Sequence, residues 1–555
     1  MNSATALRRT AIAFLGIPAA LTVTPVSLRA QSAEQWRSDL AYMMSAIKSV
    51  HPSPYHRVPE SEFDAAASLL SRQIETLTPQ QITMRMQAIV ALLNDGHSRV
   101  QLRAPVLTDD KFFGARIDRF ADGFYITAAS PDLAAVVGKK VVRIGALSAM
   151  TAWDSVMQFA SGDNVYSRMS NVPTMLASPA VMAAIGLTAG DSLVLGVTDT
   201  KGERRIVVRA QSGTFTPQWS TSLIRQLSPA ATPVSELHRN EPYWFTQRGT
   251  VVYAQINQVQ SSTDTVDLGP VRGVASLPDF GKRLTAFADS AGAERLVIDI
   301  RYNDGGDNYL ARPIVQSIIE HPHLNQRGHL FVITGRDTYS AAMNFTSMLE
   351  DRTNAIFVGE PPGGAPAHYG DATRFTMPAS KLNFFVSTLH WDTGVFPTDV
   401  REVMEPDLPA APLFADAVRG VDAAYEKAIN YKEGDRLADR LVSIYKAKGL
   451  DSTLASYDRE RRAAALPDPW GSSVQQLLEF ANDVISMAKT RAAIFGAYSA
   501  VTDRYPTSHV AWVASARVHT FVADWPAVVA AFGHAKELRP QNDFIRRSYE
   551  AAKLR

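Results

Sequence analysis

Ser340 stands where the apolar run His329-Leu330-Phe331-Val332-Ile333-Thr334 gives way to helix formers with apolar residues at Met343, Phe345, Met348 and Leu349. A serine at such a handover has two uses. Its hydroxyl can cap the helix by accepting an unpaired first-turn amide. It can also act as a nucleophile whose oxyanion is stabilised by helix N-terminal amides. Some 35 residues upstream, "VIDIRYNDGGDN" runs from a buried strand into a glycine turn. Gly305 and Gly306 there serve either a tight turn with an acidic rim or a close backbone approach that aims an amide at a ligand. A third stretch, "NDGHS", ends a helix with Asn-Asp-Gly turn chemistry and carries His97. Metal chemistry is poorly supplied: His321 and His323 are split by Pro322 and have no neighbouring third ligand. The absence of cysteine excludes thiol nucleophiles and thiolate metal sites. No phosphate-cradling glycine loop or dinucleotide fingerprint occurs, so no cofactor is expected.

These residues need elements to hold them. Trp36, Leu40, Met43 and Ile47 recur at helical spacing, and Ile82, Met86, Ile89 and Leu93 do so after the Thr78-Pro79 start signal. They predict a small helical cap over 31–103. From 104 to 227 the texture is mostly β, with "FYITAAS", "KKVVRIGAL" and the hairpin "DSLVLGVTDTKGERRIVVRA" separated by helical pieces. Over 228–430, after a proline-spotted linker, strands "TVVYAQINQV", "ERLVIDIRY", "HLFVITG" and "AIFVGE" alternate with helical stretches, which implies crossovers and an α/β layer structure. Residues 431–555 are helical throughout. Pro506 and Pro540 stand 34 residues apart, a tetratricopeptide period, with an ordinary helical bundle as the alternative. Repeats pack mainly on neighbouring repeats, so the part ending near Asn430 is expected to fold without them.

At 555 residues the chain needs several cores, and a net charge of +1 gives no support to nucleic-acid or membrane-surface binding through bulk charge. Residues 1–30 differ from the rest. Arg8-Arg9, an apolar stretch and "SLRA" before "QSAEQW" have the layout of a secretory signal cut after Ala30. An exported chain, periplasmic or secreted, with no membrane span after cleavage is therefore expected.

Taken together and in order, "VHPSPYHRV", "NDGHS", "DIRYNDGG", "TYSAA", "AIFVGEPPGG" and "MEPDLPA" resemble the C-terminal processing and tricorn-type serine peptidases, over roughly 34–430. The resemblance implies a multidomain α/β protein: helical cap, PDZ-like β-domain and ClpP/crotonase-like peptidase core, here followed by the all-α tetratricopeptide-like tail. It implies Ser340 as nucleophile and the amides of Gly305 and Ala341 as oxyanion hole. The lysine that processing peptidases use is missing: position 365 is alanine, and no lysine occurs between Ser340 and Lys381. The tricorn-type branch uses a histidine from the cap, and His97 matches it; a histidine capping its helix is the alternative. His368 and His390 are fallback bases. The orienting acid is expected in "PTDVREVMEPD", with Asp399 first, 59 residues past Ser340, and Glu402 second. The implied activity is hydrolysis of peptide bonds outside the cytoplasm, with a peptide or protein substrate and a possible protein partner at the tail. The rival reading is a non-catalytic peptide- or small-ligand binder on the same fold.

Overall fold

The computed structural model describes residues 31–102, 111–188, 190–199, 202–212, 221–261, 266–268, 271–274, 276–393, 399–463 and 474–555. The leader expected at 1–30 lies outside the described residues. Among them, no helix is long and apolar enough to cross a membrane.

The site is built around a six-stranded sheet. Its order is Tyr243–Arg248, Val251–Ile256, Arg295–Asp299, Leu330–Thr334, Ile356–Gly359 and Leu408–Pro409, with the first pair antiparallel and the others parallel. Parallel strands covered on both faces must be apolar on both, and these are. Leu296, Ile298, Leu330 and Val332 face helices Leu277–Ser290, Arg312–Ile319 and Ala341–Arg352. Val297, Phe331 and Ile333 pack the other way, against Tyr425 and Ala428 of helix Ala423–Ile429. The α/β layers expected over 228–430 are present, with the strands at the expected runs.

The helical cap contains Ala33–Val50, Glu60–Gln73 and Pro79–Ala91. Capping boxes at Ser32 and Thr78 start the first and third helices, and Pro79 follows Thr78 at the first helical position. The cap does not close on itself. Its apolar stripe packs on Met377, Leu382, Phe384 and Val386, which lie beyond Ser340 in sequence. Strand Arg99–Val100 joins Asn383–Val386 and Thr373–Thr376 in a three-stranded sheet. The segment after His97 is thereby stitched to the sheet-bearing part of the chain.

The β-region orders Lys111–Phe113, Gly202–Ser212, Ser192–Asp199, Lys140–Ile144, Gly123–Ala129 and Ala115–Phe120 along one sheet. Helices Ala149–Met157, Val165–Leu176 and Pro179–Ala184 pack on it through Trp153, Tyr166 and Val172, all fully buried. Asn164 caps the middle helix, accepting from the Tyr166 and Ser167 amides at 2.9 and 3.2 Å.

The tail runs through helices Leu437–Ala463, Val474–Met487, Arg491–Arg504, His509–Thr520, Trp525–Leu538 and Asp543–Lys553. Neighbours in sequence pack together, as helical hairpins do. The tail also makes contacts with the rest of the chain. Val400 is buried among tail side chains, and His509 Nε2 lies 2.9 Å from its carbonyl oxygen. Arg436 reaches Asp407, Arg539 reaches Glu402, and Gln475 accepts the Glu405 amide at 3.0 Å. Truncation at 430 would take Arg436 from Asp407 and one of the two guanidinium groups, that of Arg539, from Glu402.

Candidate active site

Strand Leu330–Thr334 delivers the chain to a loop pinned on the turn that follows Asp299. Thr338 Oγ1 donates to the Ile300 carbonyl at 2.8 Å, and the Tyr339 amide donates to the Asn303 carbonyl at 3.0 Å. Ser340 then opens helix Ala341–Arg352 with φ 54° and ψ −124°, a region that side-chain-bearing residues rarely occupy. Its hydroxyl makes no capping bond. The capping role is thus not used, and Oγ turns instead toward His97, whose Nε2 lies 2.9 Å away.

Gly305, with φ 115°, sits directly against this serine. A Cβ there would come within 2.7 Å of Ser340 Cβ, so any other residue would displace Ser340. The expected pair of oxyanion donors is divided by the geometry. The Ala341 amide begins the helix beside Ser340, and among the described residues no acceptor takes it. The Gly305 amide is already given to Asn303 Oδ1 at 3.0 Å. Gly305 therefore contributes close approach, while its N–H would have to leave Asn303 to serve an oxyanion.

His97 is placed by the loop after helix Pro79–Ala91. Asn94 takes the left-handed conformation, φ 50°. Asp95 accepts the His97 amide at 2.8 Å and the Ser98 hydroxyl at 2.5 Å, and Ser98 Oγ accepts the Ser387 amide at 2.9 Å. His51 Nδ1 accepts the Ser53 amide, which leaves the proton on Nε2, 3.3 Å from Asp95 Oδ2. Burial raises the Asp95 carboxyl, but His51, His97 and neighbouring hydroxyls outweigh it and hold it down at about 2. Burial pushes the His97 imidazole below its ordinary value, against the pull of Asp163 and Asp95. The shift favours the neutral imidazole, in contact with a hydroxyl.

On its far side His97 meets two groups that no motif marked. Tyr339 Oη lies 2.9 Å from His97 Nδ1 and donates to Asp163 Oδ1 at 3.0 Å. Asp163 also accepts the Gly96 amide at 2.9 Å, and burial pushes its carboxyl up to about 6. Asp163 precedes the helix-capping Asn164, so "SGDN" reads in sequence as a helix start and nothing more. Tyr339 stands next to the serine, and its adjacency in "TYS" was the one available signal. Asp95, His97 and Asp163 could offer metal ligand atoms within 4.8 Å of one another, but both ring nitrogens of His97 are engaged by Ser340 and Tyr339.

The acids expected to orient His97 are elsewhere. Asp399 is held by Arg401, whose guanidinium also grips Glu350. Glu402 lies between Arg57 and Arg539. Among the described residues neither carboxylate bonds His97; each is paired with arginine instead. The fallback bases are displaced as well. His368 stacks on His97 at 6.0 Å between ring centres and bonds the Ala365 carbonyl, and His390 packs on Tyr369. His321 bonds the Ser317 carbonyl, and His323 lies 3.5 Å from Asp289.

Ser340 and His97 open into a cleft of about 1510 Å³, bordered by Arg99, Gln101, Asn257 and Tyr302. That exceeds the usual small-molecule pocket and suits an extended ligand.

No protein-family model matches the chain, and no curated protein matches it. Among solved structures, the chain is similar to mature CPAF complexed with lactacystin, at 13% identity over 72% of this chain and 97% of that one, with a TM-score of 0.49. It is also similar to the photosystem II D1 C-terminal processing protease, at 13% identity over 70% and 98% of the two chains and a TM-score of 0.32. A third is a putative S41 protease from Bacteroides fragilis, at 13% identity, 66% and 90% coverage and a TM-score of 0.30.

Proposed function

We propose that the chain is a serine peptidase of the C-terminal processing and tricorn type, exported through its first thirty residues. The observation that carries this reading is the 2.9 Å contact between His97 Nε2 and Ser340 Oγ at a helix N-terminus, with an uncommitted amide beside it. Ser340 Oγ attacks the substrate carbonyl carbon as His97 Nε2 takes the hydroxyl proton. The carbonyl oxygen becomes an oxyanion facing the Ala341 amide. When the C–N bond breaks, the imidazolium returns the proton to the leaving amine. Water then enters by the same route and releases the acid from Ser340. The β-region serves as a PDZ-like module and the tail as tetratricopeptide-like repeats with a surface for a protein partner. The strand and helix order of the first and the sequential helix hairpins of the second support these assignments.

A fluorophosphonate probe tests the reading. The unaltered protein takes one equivalent and Ser340→Ala takes none, read by intact-protein mass. Labelling that persists in folded Ser340→Ala removes the serine from the mechanism.

A further inference from the structure

We propose that Tyr339 and Asp163 together orient the catalytic histidine, the tyrosine hydroxyl linking His97 Nδ1 to a carboxylate that never touches the imidazole. This inference rests on the peptidase reading of Ser340 and His97. Both are positioning residues, acting on substrate only through His97.

Proton counting fixes the direction of the chain. An ionised carboxylate can only accept, so the Tyr339 O–H at 3.0 Å must donate to Asp163 Oδ1. Having given its proton that way, Tyr339 Oη offers a lone pair to His97 Nδ1 at 2.9 Å. The ring is then protonated on Nδ1 and bare on Nε2, the tautomer that Ser340 Oγ needs. During attack only the serine proton moves, onto Nε2. The Nδ1 and phenol protons stay where they are, and the new imidazolium charge is felt by Asp163 through the shared hydroxyl.

The arrangement is tightly built. A Cβ on Gly96 would fall 2.3 Å from Tyr339 Oη and 2.9 Å from its Cζ, so only glycine lets the hydroxyl in. The phenol packs on the imidazole with ring centres 4.7 Å apart at 28°. Burial and the Asp163 charge hold the Tyr339 phenol well above its ordinary value, which keeps it a donor. The other nearby carboxylate is out of reach: Asp95 Oδ1 lies 3.9 Å from His97 Nδ1 and already takes the His97 amide. The charged and titratable groups facing His97 are Asp95, Asp163, Tyr339, His368 and Arg99, with His51 behind Asp95. Of these, Tyr339 is the one at hydrogen-bond distance from Nδ1.

The test measures the second-order rate of fluorophosphonate labelling against pH for the full chain, Tyr339→Phe, Asp163→Asn and the double variant. Phenylalanine keeps the stacked ring and removes only the relay oxygen. Each single variant should label about ten- to a hundredfold more slowly and shift the rising limb to lower pH, since support for the imidazolium is lost. The double variant should be no slower than the worse single one, because both break one path. A wild-type rate and limb in Tyr339→Phe, or losses that multiply in the double variant, overturns the proposal. If Tyr339→Phe fails to fold, an unshifted limb in Asp163→Asn overturns it alone. Absence of labelling in the unaltered protein overturns instead the peptidase reading beneath it.

Discussion

Two acidic residues that neighbour Asn164, one in sequence and one through its main-chain carbonyl, have carboxylates held in opposite ways. Asp163 is satisfied by neutral donors, the Gly96 amide and the Tyr339 hydroxyl. Glu402, whose carbonyl accepts from Asn164 Nδ2 at 3.1 Å, is clasped by the guanidinium groups of Arg57 and Arg539. Burial opposes ionisation in both. With no cation in contact, the Asp163 carboxyl is pushed up to about 6. Burial is outweighed at Glu402 by Arg57 and Arg539, which hold it down at about 2. A carboxylate saturated by arginine responds little to a proton arriving nearby, whereas one held by neutral dipoles responds strongly. The first kind fastens the cap, the sheet-bearing part and the tail together. The second kind suits a site where charge comes and goes.

The largest expected effect falls on His97, the proposed base. His97→Ala should slow labelling of Ser340 by roughly 10²–10⁴-fold, the usual worth of a general base. In the unaltered protein the rate should rise with pH as the imidazole loses its proton. Because burial pushes His97 down, the midpoint should lie below its ordinary value of about 6.5. A midpoint above 7 would mean that the carboxylates beside the ring outweigh its burial. Asp399→Asn should leave this limb unmoved, since Asp399 bonds Arg401 and not the ring.

A smaller effect separates the two carboxylates by stability. Asp163 titrates higher in the folded chain than unfolded, so the fold loses stability as pH rises from about 4 to 6. Asp163→Asn should therefore match wild-type stability below about pH 3 and exceed it at pH 7 to 8, by on the order of 1–3 kcal/mol. Glu402 has the opposite sign: its folded value lies below the unfolded one, so its contribution is present above about 4.5 and disappears as pH falls toward 2. Glu402→Gln should cost about 1–2 kcal/mol at pH 7, reduced by solvent because 31% of the side chain is exposed, and almost nothing near pH 2. Chemical denaturation across pH reads both. Equal signs for the two variants would erase the distinction between them.

Much of this arrangement was legible before any coordinates. The alternation of Leu296, Val297 and Ile298 between two apolar faces is written in the strand itself, and helix signals such as Thr78-Pro79 were literal. Ser340 and His97 stand in short stretches whose order along the chain pointed to each other. The acid was different. The family resemblance favoured Asp399, but Arg401 two residues later claims that carboxylate, a local pairing that the resemblance does not carry. Asp163 lies in a helix-start signature of the β-region, and only folding brings it to Tyr339. In sequence Gly96 reads as turn chemistry. The left-handed residue there is Asn94, and Gly96 instead makes room for the phenol.

The backbone of Ser340 carries one more consequence. A non-glycine residue at φ 54° and ψ −124° costs about 1–3 kcal/mol, held in place by the rest of the fold. Glycine takes that conformation freely, while alanine keeps the strain. Ser340→Gly should thus melt higher than Ser340→Ala by about 1 kcal/mol, less what glycine's looser unfolded chain takes back. Calorimetry on the two inert variants decides it, and alanine melting higher would show an unstrained site. On the proposed reading, Ser340 is a fault line maintained for use. A copy of the chain released from selection for chemistry would gain stability by surrendering one side chain, and position 340 is where such drift should begin.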